Sequence, residues 1–519
     1  RVGQVLNVDV SVRDVFDAPS VRELAAATMD RGSALAPIVA VSPRPERIPL
    51  SFAQQRMWFI NQFEPDQPTY NLPIGVKLAG NLDVDALRAG VVDVIVRHEV
   101  LRTTFPSIDG DPVQLIHDEA WASDNLDWSV VASEAEVIAA AMRGFDVTRE
   151  SPLRIVLWKR ERSEWALLAV LHHIAGDGES MRPLIGDVMT AYQARVTGTA
   201  PDFAPLEVQF ADYAIWQHTM LGAPGDPSSV SGKQLAYWTR QLAGVPDVLN
   251  LPTDRPRPRV ASSSGAVLSD EVPTDLARRI NELASAHGVT SFMVLHAALA
   301  VLLARLSATD DIAIATPIAG RGDRVLDPLV GMFVNTLALR TQIEPGMSFA
   351  ELLDHVRHVD LDAFAAADVP FESVVEAVNP VRSEAFAPLA QVMLAVDHRP
   401  EGDGDGGIEF DGLYVTPMRA PAAFAQVDLL LRLAVFGDRP WGLEITYATD
   451  LFDEASVGAI ARRYIALLDA LTTDPGAAVG DAPIMDEIEE KRLIGWSSGP
   501  EALPGEQTVT WMLTRPPST

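Results

Sequence analysis

The segment that most constrains the fold of this 519-residue chain is the apolar run from Trp165 to Leu171. It is far shorter than the ~20 apolar residues that a membrane-spanning helix needs. Apolar side chains at successive positions require burial on both faces, which predicts a strand in the interior of a sheet. The run ends directly in the residues HHIAGDG, His172 to Gly178, so a polar turn follows a buried strand.

Patterns typical of strands and of helices alternate on both sides of this run. Leu72 to Leu78 alternates apolar with other residues and predicts a half-buried strand, and Asp83 is placed to cap the helix that follows. Further along, the pattern predicts a buried helix at 292–306, strands at 311–317 and 431–436, and an amphipathic helix at 451–471. This alternation indicates an α/β architecture.

Charge and composition exclude several classes of function. The chain carries 41 basic and 71 acidic residues, a formal net charge of -30, so we expect neither a nucleic-acid partner nor an anionic membrane surface. Cysteine is absent, which excludes disulfides, thiolate metal sites and a cysteine nucleophile. No signal-peptide pattern begins the sequence, and we therefore expect a cytoplasmic protein.

The ends of the sequence differ in pattern from its main body. Residues 1–30 are too few to bury a core, and Ser20 is placed to begin a helix over 21–29, so this stretch resembles the end of a small domain. Residues 31–47 are rich in Ala, Pro and Ser and predict a linker. The Gly/Asp run at 401–407 predicts a mobile acidic loop, and residues 486–519 predict a C-terminal linker or tail.

The histidine pair at the end of the buried run is the strongest candidate for chemistry. Ten histidines in a chain of this length give roughly 0.2 adjacent pairs by chance. Gly176 and Gly178 permit a tight turn that Asp177 can hold by hydrogen bonds, and an imidazole at a rigid strand end suits general acid/base work. The alternatives are two core histidines or one ligand of a metal site. A metal site is the weaker of these because no other cluster shows ligand spacing.

The motif HHIAGDG resembles the HHxxxDG signature of condensation domains of non-ribosomal peptide synthetases. Further blocks resemble other motifs of that family in the family's order. They are SFAQQRMW (51–58), RHEVLRTTF (97–105), DYAIW (212–216), GMFVNTL (331–337), DVPFE (368–372) and, loosely, 379–389. The resemblance covers roughly residues 48 to 480.

This resemblance implies a fold of two chloramphenicol-acetyltransferase-like α/β lobes, a V-shaped pseudo-dimer with a central tunnel. The N-lobe would comprise residues 48–218 and the C-lobe residues 219–485. The implied reaction makes a peptide bond, as the α-amine of a carrier-bound acceptor attacks a carrier-bound donor thioester. The implied enzyme is therefore an amide-forming acyltransferase of secondary metabolism, of the kind that makes antibiotics or siderophores.

The implied partners are an upstream donor and a downstream acceptor peptidyl carrier domain, each bearing phosphopantetheine, and an adjacent adenylation domain. Residues 1–30 resemble the C-terminal part of a carrier domain whose phosphopantetheine serine would lie upstream of Arg1. The opening block is similar to the subtype that joins two L-residues, although dual epimerising subtypes also follow carriers directly. We expect a monomeric fragment of a megasynthetase with no metal.

The resemblance also implies roles for individual residues of the signature. His173 would face the tunnel and either take a proton from the amine or hold the amine by a hydrogen bond. His172 would pack behind the site, and Asp177 would pair with an arginine, for which Arg321 is one candidate. Gly178 would let the backbone approach the reacting centre, where its N–H could face the developing oxyanion.

Four further residues are predicted near the site. Glu179, Ser180 and Asn335 are expected along the substrate tunnel, with a solvated Glu179 and a turn-forming Asn335 as the alternatives. Arg56 is expected to be a buried structural arginine.

Three other functions remain open for a chain with these motifs. An epimerisation domain shares the signature but needs a second base, and the sequence offers no second candidate. A condensation-like module that only recruits other enzymes tends to lose the active-site pattern, which is intact here. A heterocyclising variant normally carries a DxxxxD arrangement in place of the histidine pair.

Overall fold

The computed structural model describes residues 2–3, 8, 10–29, 36–63, 65–161, 163–398, 407–410, 412–418, 423–437, 439–485 and 487–497. Most of the predicted acidic loop, at 401–406, and most of the predicted tail, at 498–519, lie outside the described residues, as do 31–35 of the predicted linker.

The helices and strands alternate along the chain, as the sequence predicts. The helices are α1 (Val12–Asp17), α2 (Val21–Thr28), α3 (Phe52–Phe63), α4 (Val84–Arg97), α5 (Glu119–Asp124), α6 (Glu134–Met142), α7 (Met181–Val196), α8 (Phe210–Leu221), α9 (Val230–Gln241), α10 (Thr274–His287), α11 (Ser291–Ser307), α12 (Phe349–Ala365), α13 (Phe371–Val378), α14 (Glu454–Thr473) and α15 (Glu487–Ser497). The strands are β1 (Ile48–Pro49), β2 (Asn71–Gly80), β3 (Thr103–Thr104), β4 (Ser107–Ile108), β5 (Asp111–Ile116), β6 (Asp127–Val131), β7 (Leu153–Glu161), β8 (Glu164–His172), β9 (Ser264–Val272), β10 (Asp311–Ile318), β11 (Asn335–Gln342), β12 (Val392–His398), β13 (Ile408–Phe410), β14 (Leu413–Met418), β15 (Ala423–Phe424), β16 (Leu429–Val435) and β17 (Trp441–Ala448).

The predicted interior strand lies inside the first large sheet, whose order is β13-β14-β2-β8-β7-β6. Strand β8 pairs antiparallel with β2 on one side and with β7 on the other. Leu168, Val170 and Leu171 are buried, whereas Trp165, Leu167 and Ala169 are half-buried. The predicted interior position of the strand is confirmed, but its two faces are not buried equally. Helix α4 begins where expected, because the Asp83 carboxylate accepts a hydrogen bond from the Ala86 N–H at 2.9 Å.

The second large sheet has the order β11-β10-β12-β16-β17-β9-β15 and its own hydrophobic core. Helix α11 is the centre of that core, with buried residues on nearly every side, and this confirms the predicted buried helix. A smaller sheet joins β1, β3, β4 and β5. No single described helix is long and apolar enough to cross a membrane. Helices α10 and α11 reach that length and apolar character only together, and they are bent by 105° at the break between them.

Residues 48–218 are here called the first half of the chain and residues 219–485 the second half. Two segments of the second half belong to the sheet and core of the first half. Strand β14 pairs with β2, so β13 and β14 extend the first large sheet. Residues 321–334, here called the bridging segment, place Leu326, Val330 and Phe333 in the hydrophobic core around the first large sheet, here called the first hydrophobic core. The predicted boundary between 218 and 219 lies within helix α8, and β13, β14 and the bridging segment, which follow it in sequence, belong to the first large sheet and its core.

The segments before the main body are ordered by specific contacts. Helix α2 begins at a capping box in which Ser20 and Glu23 satisfy each other's backbone N–H groups, which confirms the predicted helix start. In the described part of the predicted linker, Arg44 is bound to both Asp212 and Glu99, and Ile38 is buried. Residues 36–47 thus lie along the first half as a packed strap rather than a free tether.

The C-terminal segment differs from its prediction over its first residues. Helix α15 occupies Glu487–Ser497, where the sequence predicts linker or tail. Its Glu489 accepts a hydrogen bond from Arg463 of α14 at 3.0 Å. The helix has little amphipathic pattern, so hydrophobic periodicity gives no signal for it.

Candidate active site

The histidine pair lies where strand β8 ends and a short turn begins. His172 is the last residue of β8, and His173–Ala175 form one turn of 3₁₀ helix. The N–H of His173 donates to the Tyr70 carbonyl at 2.9 Å, and Gln54 Nε2 of α3 donates to the Ile174 carbonyl at 3.0 Å. The backbone of the turn is therefore held from two sides, by the Tyr70 carbonyl and by the Gln54 side chain.

His172 packs behind the turn, as expected from the resemblance. Its Nδ1 accepts a hydrogen bond from the Ile174 N–H at 3.1 Å, and its ring meets the edge of Phe145 with centroids 5.8 Å apart. Burial, aided by the neighbouring His173, lowers the pKa of His172 to about 3. His172 is therefore neutral at neutral pH and serves as an acceptor for the backbone.

His173 has a half-buried side chain whose Nδ1 is buried without a hydrogen-bond partner of normal geometry. Burial lowers the pKa of His173, and the negative charge of Asp177 and the carbonyl groups of His173 and Gly176 oppose that effect. The positive charge of Arg56 lowers this pKa further. Because Nδ1 has no hydrogen-bond partner among the described residues, the neutral imidazole is available to a substrate.

Asp177 holds the turn by hydrogen bonds, as the sequence predicts. Its Oδ1 accepts from the Ser180 N–H at 2.9 Å and from the Ser180 hydroxyl at 2.7 Å. The Asp177 side chain is 2% exposed, so both bonds form away from water. This short capped turn leads directly into helix α7.

Asp177 also ties the turn to the second half of the chain. Its Oδ2 accepts from the N–H groups of Phe333 and Val334 at 2.8 and 3.2 Å. Arg321 Nη2 lies 3.3 Å from Oδ1, so the candidate partner named from the sequence is the partner in the structure. The Arg321 guanidinium lies 4.1 Å from the centre of the Phe333 ring. The carboxylate thus joins the turn to the bridging segment.

The prediction that Ser180 lines the substrate tunnel is wrong. Ser180 is completely buried, and its hydroxyl oxygen lies 2.9 Å from the Gly331 carbonyl oxygen, which shares the single hydroxyl proton with Asp177 Oδ1. The Gly331 N–H and Arg321 Nη2 both donate to the Ser180 hydroxyl oxygen at 3.1 Å. Ser180 therefore joins the turn to the bridging segment.

Asn335 uses its side chain on the backbone, which corresponds to the structural alternative raised for it. Its Nδ2 donates to the carbonyls of Ala367 and Val369 at 2.9 and 2.7 Å. Its Oδ1 accepts from the N–H groups of Phe371 and Thr336 at 3.0 and 2.9 Å. Asn335 therefore fixes the loop before α13, although it also lines a cavity between the halves.

Arg56 differs from its prediction, because 36% of its side chain is exposed. Its Nη1 lies 2.9 Å from Oε1 of Glu372 at the start of α13, so it pairs a helix of the first half with one of the second. Arg56 is structural but not buried. Glu179 is exposed in the turn before α7, as its solvated alternative requires.

The two glycines of the turn differ in their surroundings. A Cβ on Gly176 would lie 2.3 Å from Cδ2 of Leu171, so only glycine fits there without a shift of the core. A Cβ on Gly178 would meet no heavy atom within 4 Å. Gly178 is exposed, and open space adjoins its backbone. Among the described residues, no group of three or more His, Cys, Asp or Glu side chains could hold a metal ion.

Comparison with protein-family models matches residues 45–494 to the condensation domain family. The chain belongs to this family. It is 42% identical over 511 residues to a probable non-canonical non-ribosomal peptide synthetase, CymA, of Salinispora arenicola, covering 97% of this chain and 6% of that protein. It is 40% identical over 518 residues to a dimodular non-ribosomal peptide synthase of Bacillus subtilis, covering 97% of this chain and 21% of that protein.

A solved structure shares the fold of this chain. The X-domain in a complex with OxyB from teicoplanin biosynthesis superposes with a TM-score of 0.79 at 31% identity, covering 88% of this chain and 99% of that one. The chain spans between 6% and 21% of the length of the two synthetases.

Sequence reasoning missed several groups that shape the site of this condensation domain. The backbone N–H groups of Phe333 and Val334 bind Asp177, and Glu372 pairs with Arg56. These partners lie 156, 157 and 316 residues away in the sequence, so no local pattern connects them. They fall in or beside the blocks GMFVNTL and DVPFE, and those family motifs were the only available signal.

Proposed function

We propose that this condensation domain forms peptide bonds between two carrier-bound substrates. The observation that carries the proposal is His173, a neutral imidazole at the end of an interior strand whose Nδ1 has no hydrogen-bond partner among the residues that the structure describes. It lies beside the contacts of Asp177 that join the two halves of the chain. The two halves would be the two lobes of the family, with the tunnel between them.

The environment of His173 favours one arrangement of its proton. The carbonyl groups of His173 and Gly176 near the ring can only accept hydrogen bonds, so they favour a proton on the ring nitrogen that faces them. We propose that this nitrogen is the buried Nδ1, which would leave the lone pair on Nε2. Nε2 would then accept a hydrogen bond from the attacking amine. In the reaction a C–N bond forms and the C–S bond of the thioester breaks. The amine proton passes through His173 or directly to the departing thiolate.

Gly178 supports the same reaction through its backbone. Open space adjoins it, so the thioester carbonyl would be able to approach the chain there without a side chain in the way. An N–H group near the carbonyl oxygen would stabilise the negative charge that develops during attack. The thioester reaches the site on phosphopantetheine, which belongs to the partner carriers. The unpartnered ring of His173 and the open side of Gly178 leave room for it.

The partners follow from this reaction. The donor would be held by a carrier domain preceding residue 30 and the acceptor by a carrier domain that follows, with an adenylation domain nearby. The donor would be an L-residue, because the preceding segment resembles a carrier joined directly to the condensation domain. Glu179, exposed beside the turn, would face the acceptor side.

A second candidate function is recruitment of another enzyme. It is favoured by the similarity to an X-domain whose solved complex contains OxyB. Against it stands the intact signature of His173, Asp177 and Gly178, with the Asp177 contacts complete.

A transfer assay separates the two candidates. A longer chain that includes the whole preceding carrier is loaded with a short L-peptidyl pantetheine and mixed with a separate acceptor carrier bearing an amino acid. Intact-protein mass spectrometry follows both carriers. Movement of the peptide mass to the acceptor supports peptide-bond formation. Absence of transfer, with both carriers loaded and the acceptor bound, would overturn it in favour of recruitment.

A further inference from the structure

We propose that helix α12 of the second half is the docking surface for the domain that precedes the condensation domain. This inference rests on the proposed function for the identity of that domain, a peptidyl carrier. Its C-terminal part would be residues 1–30. The contacts of α1 with α12 carry the proposal.

Helix α1 meets α12 through two ion pairs of opposite polarity. Arg13 Nη2 lies 2.7 Å from Oδ1 of Asp362, and Arg357 Nη2 lies 3.2 Å from Oδ1 of Asp17. Because each helix supplies one cation and one anion, a shift of one helix along the other would place like charges together. The side chains of the first pair are 41% and 51% exposed and those of the second 61% and 24%, so water screens both pairs and each contributes only weakly to stability. Together they favour one position and direction of α1 on α12.

An aromatic contact lies between the two ion pairs. Phe16 packs against the second hydrophobic core, and the Arg357 guanidinium lies 5.8 Å from the centre of its ring. Arg357 thus contacts α1 by charge and by its flat face. An apolar anchor flanked by ion pairs is the arrangement of a specific contact surface.

The remaining apolar residues of this segment indicate that a larger domain docks here. Val12, Val15, Val21 and Met29 are 48%, 47%, 89% and 80% exposed, so α1 and α2 present an uncovered apolar face. Such a face is buried when the rest of a small domain is present. In this proposal the preceding part of the domain would cover that face, while α12 contacts α1 through Arg13, Phe16 and Asp17.

The packed strap fixes the other end of the connection. Trp216 Nε1 of α8 donates to the Ala36 carbonyl at 2.7 Å, and Arg44 is held by Asp212 of the same helix. Residues 10–29 are thus fixed on the second half, and residues 36–47 on the first. Val10 and Ile38 also line a cavity of about 230 Å³ between the halves. The docked domain would cover this cavity while it rests on α12.

Charge reversal with rescue tests the docking surface in the chain as it exists. Asp362→Arg places two cations together, and we expect hydrogen exchange in residues 12–28 to rise roughly 2- to 30-fold. Adding Arg13→Asp restores an ion pair of reversed polarity, and exchange should return to within about twofold of the parent. Glu282→Arg, which disrupts the exposed Arg278 pair of α10, is the matched control and should leave α1 unchanged.

A chemical crosslink gives a second reading that does not depend on the stability of α12. The chain has no cysteine, so Arg13→Cys with Asp362→Cys is the only thiol pair available to a short bismaleimide. Rapid intramolecular crosslinking supports the docking surface. Unchanged exchange in Asp362→Arg, failure of the rescue or absence of the crosslink would overturn it.

The identity of the docked domain is tested separately. A chain extended upstream is treated with a phosphopantetheinyl transferase and coenzyme A, and its intact mass is measured. Loading supports a carrier as the docked domain. If the preceding domain docks on α12 but takes no phosphopantetheine, its identity as a carrier is overturned. If it takes phosphopantetheine but does not dock on α12, only the docking surface is overturned.

Discussion

Arg321 Nη2 lies 3.3 Å from Oδ1 of Asp177, although 144 residues separate the two in the sequence. Both side chains are nearly inaccessible to water, at 7% and 2% exposure. The contact places the turn after His173 against the bridging segment, whose Phe333 and Val334 N–H groups bind the same carboxylate. The position of the imidazole therefore depends on contacts between the two halves of the chain.

Replacing Asp177 by Asn should destabilise the protein and abolish most transfer. The amide keeps one oxygen acceptor but leaves the buried Arg321 without its charged partner. Removal of one member of a buried ion pair costs ~3–5 kcal/mol. Urea unfolding of the isolated chain measures this loss. Arg278→Gln, which breaks an exposed pair with Glu282, is the control and should cost less than ~1 kcal/mol. Equal losses in the two variants would contradict the structural role of Asp177.

His172 should make the protein sensitive to acid. Its pKa is about 3 in the folded protein, compared with 6.5 ordinarily, so between these values the unfolded chain binds the proton more readily. Stability contributed by neutral His172 is complete above pH 6.5 and decreases as pH falls toward 3. By pH 4.5 the decrease should reach roughly 2–3 kcal/mol.

The variant His172→Asn isolates that effect. The amide oxygen can accept from the Ile174 N–H, as Nδ1 does, but does not titrate. Unfolding free energies of both proteins are measured at pH 7 and pH 4.5. The advantage of the parent over the variant should shrink by roughly 2–3 kcal/mol at the lower pH. A constant difference would show that the His172 pKa is not depressed.

The two glycines of the turn should respond differently to alanine. Gly178→Ala places its methyl group in open space, so the unfolding free energy should change by less than ~0.5 kcal/mol while transfer slows. Gly176→Ala forces the buried Leu171 to move and should cost ~1–3 kcal/mol. Unfolding and transfer are measured on both variants. Unimpaired transfer in Gly178→Ala would exclude a close approach of the thioester at that position.

Local patterns predicted the elements that bury apolar surface. Strand β8 and helix α11 follow from their hydrophobic patterns, and the start of α4 follows from Asp83. The pairing of β14 with β2 was not predictable, because the sequence of one strand does not indicate which distant strand it pairs with. The ordered strap at 36–47 was missed for a related reason, since its anchor Arg44 binds residues far along the chain.

At the candidate site, the sequence predicted which residues matter better than what they contact. The HHIAGDG motif located the turn that holds His172, His173 and Asp177, and Arg321 was named as a partner of Asp177, but the roles of these residues in a reaction stay predictions. Ser180 was misplaced because whether a serine faces a tunnel or a buried carboxylate depends on packing between halves. The exposure of Arg56 also depends on that packing, through Glu372. Periodicity within one segment carries no information about such contacts.

The central claim is that His173 takes part directly in peptide-bond formation. The most direct test compares transfer rates of His173→Ala and His172→Asn with the parent, using the loaded carriers described above. We predict that His173→Ala slows transfer by ~10²–10⁴-fold, while its unfolding free energy at pH 7 stays within ~1 kcal/mol of the parent. His172→Asn should retain transfer within about tenfold once folded. Transfer at the parental rate in a folded His173→Ala protein would contradict the claim.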